Sequence, residues 1–77
     1  MAAKKRKAKR DVEREYPKRR FIEKLRRLAD CLESDQTFRI QIGGERITVP
    51  PDATISLEHE RGSSEEEVEF QLKWELE

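Results

Sequence analysis

The chain has 77 residues, enough for one small domain, and with 34% apolar against 44% charged side chains any core must be small. Seventeen basic and seventeen acidic residues cancel overall but not locally: residues 1–20 hold ten Lys or Arg against three acids, a charge of +7, and residues 51–77 hold two against nine, a charge of −7. The lone cysteine, Cys31, excludes an internal disulfide, and so little apolar material leaves little with which to desolvate a catalytic pocket.

Residues 1–10, MAAKKRKAKR, have nothing to bury and read as a disordered basic tail ahead of a single domain over residues 11–77. No apolar run follows the basic start, so neither a signal peptide nor a membrane span is expected, and the setting is taken as reduced and cytoplasmic. Val12, Arg14 and Tyr16 alternate with acids and leave room for a short strand. Pro17 suits the first turn of a helix, where its missing N–H costs nothing. From there Phe21, Ile22, Leu25, Leu28, Ala29 and Leu32 recur at three- and four-residue spacing, which predicts an amphipathic helix over about residues 17–33, ended by Ser34-Asp35.

The period then drops to two. Phe38, Ile40 and Ile42 alternate with polar residues up to Gly43-Gly44, a pair able to adopt positive φ at both centres of a tight hairpin turn, and Ile47 and Val49 continue on the return strand. Setting Ile42 opposite Glu45 places Ile40 against Ile47 and Phe38 against Val49. Pro50-Pro51-Asp52 interrupts the ladder, because neither proline donates a hydrogen bond. Ile55, Leu57 and His59 alternate next, and Gly62-Ser63-Ser64 turns the chain. Val68, Phe70, Leu72, Trp74 and Leu76 complete the pattern on an outer strand of about residues 67–76. A four-residue turn pairs His59 with Val68, Leu57 with Phe70 and Ile55 with Leu72, and puts Trp74 opposite Ala53. The expected fold is therefore α+β with element order α-β-β-β-β: a four-stranded antiparallel sheet, one face covered by the helix stripe and the other polar and solvated.

Leu25, Leu28, Ala29 and Asp30 on the helix, Val49, Pro50 and Asp52 at the join, and the runs Glu58-His59-Glu60-Arg61 and Glu69-Phe70-Gln71-Leu72-Lys73-Trp74 together resemble the amphi-Trp domain family. The resemblance spans about residues 11–75. It implies the fold and carries no biochemical activity or site residues with it.

Candidate chemistry is sparse. His59 is the only histidine and lacks the further His or Cys ligands a zinc site needs, so it reads as a rim residue of the sheet. Cys31 lies near the helix C-terminus, where the dipole disfavours a thiolate, and reads as a small filler rather than a nucleophile. Glu58, Glu60, Glu67 and Glu69 share the polar face; hydrated carboxylates suit docking to a basic partner better than general-acid work, and they also guard a strand edge against aggregation. Trp74 is either a core residue closing the sheet end or an aromatic anchor for that partner.

Lys4, Lys5, Arg6, Lys7, Lys9 and Arg10, extended by the helix bases Arg19 and Arg20, are placed to neutralise phosphates. No aromatic is interleaved to stack on bases, so any such binding is expected to ignore sequence. With no phosphate loop, nucleophile elbow or metal spacing, neither catalysis nor a cofactor is expected. Two functions follow as expectations. The first is a protein-interaction or accessory domain that uses the acidic sheet face or an exposed edge strand, as a monomer or an edge-strand homodimer. The second is weak, sequence-independent nucleic-acid binding by the tail.

Overall fold

The computed structural model describes residues 9–76, and the basic residues Lys4, Lys5, Arg6 and Lys7 lie outside them. The described residues form one helix, α1 (Lys18–Glu33), and four strands, β1 (Phe38–Ile42), β2 (Glu45–Val49), β3 (Thr54–Arg61) and β4 (Glu66–Lys73). The order and α+β class are those expected.

Pro17 stands one residue outside the helix rather than in its first turn, with extended backbone at ψ 145°, and its carbonyl accepts the first helical bond from Phe21 N–H at 3.0 Å. At the other end Asp35 adopts φ +54°, Gln36 N–H donates to the Cys31 carbonyl at 2.8 Å, and Asp35 N–H donates to Leu32 at 3.3 Å. This paired closure satisfies the last carbonyls with an aspartate where glycine is usual. No strand forms over residues 10–17. That stretch has no partner ladder and is held by side chains instead. The Arg10 guanidinium donates to the carbonyls of Ile42 at 3.0 Å and Gly43 at 3.2 Å and meets Glu45 at 3.1 Å, while Lys24 Nζ lies 5.1 Å above the Tyr16 ring.

β1 and β2 pair antiparallel in the expected register, Ile42 with Glu45, Ile40 with Ile47 and Phe38 with Val49. β3 and β4 do likewise, with His59 against Val68, Leu57 against Phe70 and Ile55 against Leu72. The expected single four-stranded sheet does not form: each hairpin is its own two-stranded sheet. The join explains why. Ala53 N–H donates to the Pro50 carbonyl at 3.2 Å, closing a turn in which neither Pro50 nor Pro51 can enter a ladder, so β2 and β3 never run side by side. The outer strand also begins one residue earlier than expected and stops at Lys73, leaving Trp74 half-buried beyond it.

The helix packs on β1 rather than across a whole sheet. Arg27 makes the closest tie, its guanidinium carbon 4.7 Å from the Phe38 ring centre and its Nη1 donating to the Arg39 carbonyl at 2.6 Å. Phe38 and Val49, opposite each other, are the buried apolar residues among those described. The helix stripe is half-buried at Leu28 and Leu32 and open at Phe21, Ile22 and Leu25.

Gly43 and Gly44 turn the first hairpin at φ +56° and +83°. A Cβ at Gly44 would meet nothing, whereas one at Gly43 would lie 2.9 Å from Val12 Cγ1 and 3.1 Å from the Arg10 guanidinium. Alanine at either site is expected to cost about 1–2 kcal/mol for the left-handed backbone. Gly43→Ala should cost measurably more than Gly44→Ala in urea denaturation, because it also displaces the segment held by Arg10.

Candidate interaction surface on the second hairpin

Alternation along β3 and β4 sorts their side chains into two faces, and burial runs opposite to the expectation. On the polar face Ser56, Glu58, Glu60, Glu69 and Gln71 are half-buried. On the other, Ile55, Leu57, Val68 and Phe70 are 59%, 66%, 63% and 68% exposed. The helix that was to cover them lies on β1, and no helix or strand packs extensively against this hairpin.

The polar face is tied together by Gln71. Its amide nitrogen donates to Glu58 at 2.8 Å and to Glu69 at 2.9 Å, and its oxygen accepts from the Ser56 hydroxyl at 3.1 Å. Glu58 and Glu69 are directly opposed in the register, as are Glu60 and Glu67. Like charges so placed repel, and the Gln71 donor offsets this for one of the two pairs. Glu67 and Glu69 each have partners of their own as well. The four glutamates of the proposed docking face thus share one face in two opposed pairs, and Gln71 ties Glu58 and Glu69 together.

At the turn end a second cluster stands on the apolar face. Glu66 Oε2 accepts from Arg61 at 2.8 Å and lies 2.8 Å from His59 Nε2, with all three side chains about half exposed or more. His59, and then Arg61, holds the Glu66 carboxyl below its ordinary value of 4.5. Glu66, Arg61 and Gln71 were not among the candidate site residues read from the sequence. Their signal was parity, since a four-residue turn sets Arg61 opposite Glu66 and brings His59 to the same face.

The other candidates are dispersed. Cys31 is half-buried with a free thiol in the last turn of the helix. Arg19 and Arg20 are exposed in its first turn, where no acid accompanies them, while Arg10 is spent on the first hairpin's turn; Lys9 is exposed. Arg19 and Arg26 line a shallow cleft with Ile22 and Glu23. Among the described residues no group of three or more His, Cys, Asp or Glu side chains is arranged to hold a metal ion, and no helix is long and apolar enough to cross a membrane.

Because Glu66 is held ionised in the folded chain, its contribution to stability is present above pH 4.5 and is lost as pH falls through the lowered folded value. Carboxyl-carbon NMR titration should find Glu66 titrating below the ordinary glutamate range. His59→Ala is expected to move it back further than Arg61→Ala does.

Compared with known proteins, residues 4–77 match the family model described as the Amphi-Trp domain. No curated protein and no solved structure matches the chain.

Proposed function

The chain belongs to the Amphi-Trp domain family, and from that footing we propose that it is a non-enzymatic protein-interaction domain whose contact element is the second hairpin. The observation that carries this reading is the apolar face of β3 and β4, where four large side chains stand about two-thirds exposed on adjacent strands. A small chain short of apolar residues gains nothing by displaying them to water, and a contiguous exposed patch of this kind marks an interaction site. The opposite face of the same hairpin, with Glu58, Glu60, Glu67 and Glu69, is suited to a basic partner, and the edges of β3 and β4 offer backbone groups for strand addition. Trp74, half-buried just past β4, stands beside this surface as a further aromatic contact. The half-exposed His59–Arg61–Glu66 cluster lacks the enclosure that acid–base chemistry uses. A cytoplasmic setting agrees with the unpaired thiol of Cys31.

A photoreactive residue placed at Leu57 or Phe70 should form covalent protein adducts in cells, while one at the exposed Thr48 of the first hairpin should not. Absence of adducts from both hairpin positions would end this reading.

A second reading, sequence-independent nucleic-acid binding by Lys4, Lys5, Arg6, Lys7, Lys9, Arg19 and Arg20, draws on one observation. Lys18, Arg19 and Arg20 crowd the positive end of the helix dipole, where cations are unfavourable unless an anion joins them. On this reading labelled duplex DNA binds the full chain at low salt, loses affinity steeply as salt rises, and is not bound by a chain starting at Arg10, which keeps the Arg10 clamp. Equal binding by both chains would exclude the tail.

A further inference from the structure

We infer that the outer edge of β4 pairs with the same edge of a second copy of this chain, antiparallel about a twofold axis at Phe70, joining two hairpins in one four-stranded sheet. The inference rests on the hairpin being the contact element, and it names what occupies one of its edges.

Among the described residues β3 and β4 form a sheet of two strands, and no strand pairs with the outer edge of either. No helix packs extensively on it. A two-stranded ribbon is marginal in water by itself, and further strands are what make such a sheet stable. The turn shows which backbone groups the edge presents. Gly62 N–H donates to the Glu65 carbonyl at 2.8 Å, so these two are a hydrogen-bonded pair and the next pair, Arg61 with Glu66, is not. Alternation along the register then turns the N–H and C=O of Glu66, Val68, Phe70 and Leu72 outward.

An antiparallel join between two such edges must match these groups to each other, which keeps apolar with apolar and polar with polar. With the axis at Phe70, Phe70 pairs with its own copy and Val68 pairs with Leu72 on either side. On the polar face Glu69 then stands opposite Gln71, and Glu67 opposite Lys73, an ion pair made twice. Glu67 has a contact of its own already, and a carboxylate has two oxygens to share. Other axes are worse. One at Glu69 sets that residue on itself, one at Val68 sets Glu67 on Glu69, and one at Gln71 pairs only residues 69–73. The outer edge of β3 gives no ion pair about any twofold axis: one at Leu57 sets Ser56 on Glu58, and one at Glu58 or His59 sets glutamates on each other. The contact uses the same edge on both chains, so it is complete at two copies and leaves the apolar face, now doubled, to the partner.

The test uses the purified full chain. Sedimentation equilibrium is expected to show a monomer–dimer equilibrium. Glu67→Lys alone sets like charges together at both ends of the join, as does Lys73→Glu alone, and each should weaken the dimer about tenfold. Neither breaks a charge pair within the hairpin ladder, where Glu67 stands opposite Glu60 and Lys73 opposite Thr54. Mixed together, the two variants should recover the native affinity as a heterodimer, because each supplies the charge the other lacks. A mixture no tighter than its parts overturns the proposal. In a Cys31→Ser background Phe70→Cys should form its self-disulfide on oxidation, since hydrogen-bonded partners lie about 5.5 Å apart at Cα. Val68→Cys and Leu72→Cys should cross-link with each other in preference to themselves. A Leu57→Cys self-disulfide that outpaces that of Phe70→Cys overturns the proposal in favour of the β3 edge. A monomer at all concentrations overturns the second copy, and leaves the hairpin reading standing if Leu57 and Phe70 still yield adducts in cells.

Discussion

The join between the hairpins is four residues long, and its conformation decides how the rest of the chain is used. Pro50 and Pro51 fix two φ angles and withhold two N–H donors, while Ala53 N–H returns to the Pro50 carbonyl. A flexible join would let β3 add to the edge of β2 and make the single sheet that the alternation suggests. With the turn closed, the apolar residues of the two hairpins face different surroundings. Phe38, on the strand that meets the helix, and Val49 opposite it are buried; Leu57 and Phe70, paired with each other, stand about two-thirds exposed. The division between a folded half and a displayed half follows from this turn, because the apolar pattern is equally good on either side of it.

Charge follows the same division. The tie between α1 and β1 is a cationic one, Arg27 stacked on Phe38 and bonded to the Arg39 carbonyl, and the N-terminal segment is secured by another, Arg10 on the carbonyls of the first turn. Guanidinium groups suit this work, since each carries several donors in a plane that also lies flat on an aromatic ring. The second hairpin is organised by an amide and carboxylates, with Gln71 between Glu58 and Glu69. The basic residues of α1 and the acidic residues of β3 and β4 thus fall on different structural units, and Arg10 is paired with Glu45 in the first hairpin.

Much of the local structure was legible because it depends on neighbours in sequence. The 3.6 period gives α1, the period of two gives all four strands, and Gly43-Gly44 with the four-residue second turn fixes both registers to the residue. What was illegible is which surface meets which. Alternation says that Leu57 and Phe70 share a face, and is silent on whether anything covers it. Burial there is set by the direction in which the Pro50 turn sends the chain, and a proline pair in a sequence signals a break without giving its angle. The four glutamates were legible as a face, whereas their ties through Gln71 require its rotamer. Arg10 was grouped with the tail because its charge is visible in the sequence and the carbonyls of Ile42 and Gly43 are not.

The energetics bound what the hairpin face gains from being covered. Burying an aliphatic or aromatic side chain fully is worth about 1.5–3 kcal/mol, so one hairpin face, already one-third covered, yields a gain comparable to the rigid-body cost of association, about 4–15 kcal/mol. A partner must therefore add further contacts, which the outer edges of the two-stranded β3–β4 sheet offer. The opposed pairs Glu58–Glu69 and Glu60–Glu67 make the polar face of the ribbon a surface suited to a basic partner, with Gln71 already easing the first pair. The helix, with cations in its first turn and no acid beside them, carries the opposite frustration. Basic and acidic side chains thus sit on different structural units, and each unit is suited to a partner of the opposite charge.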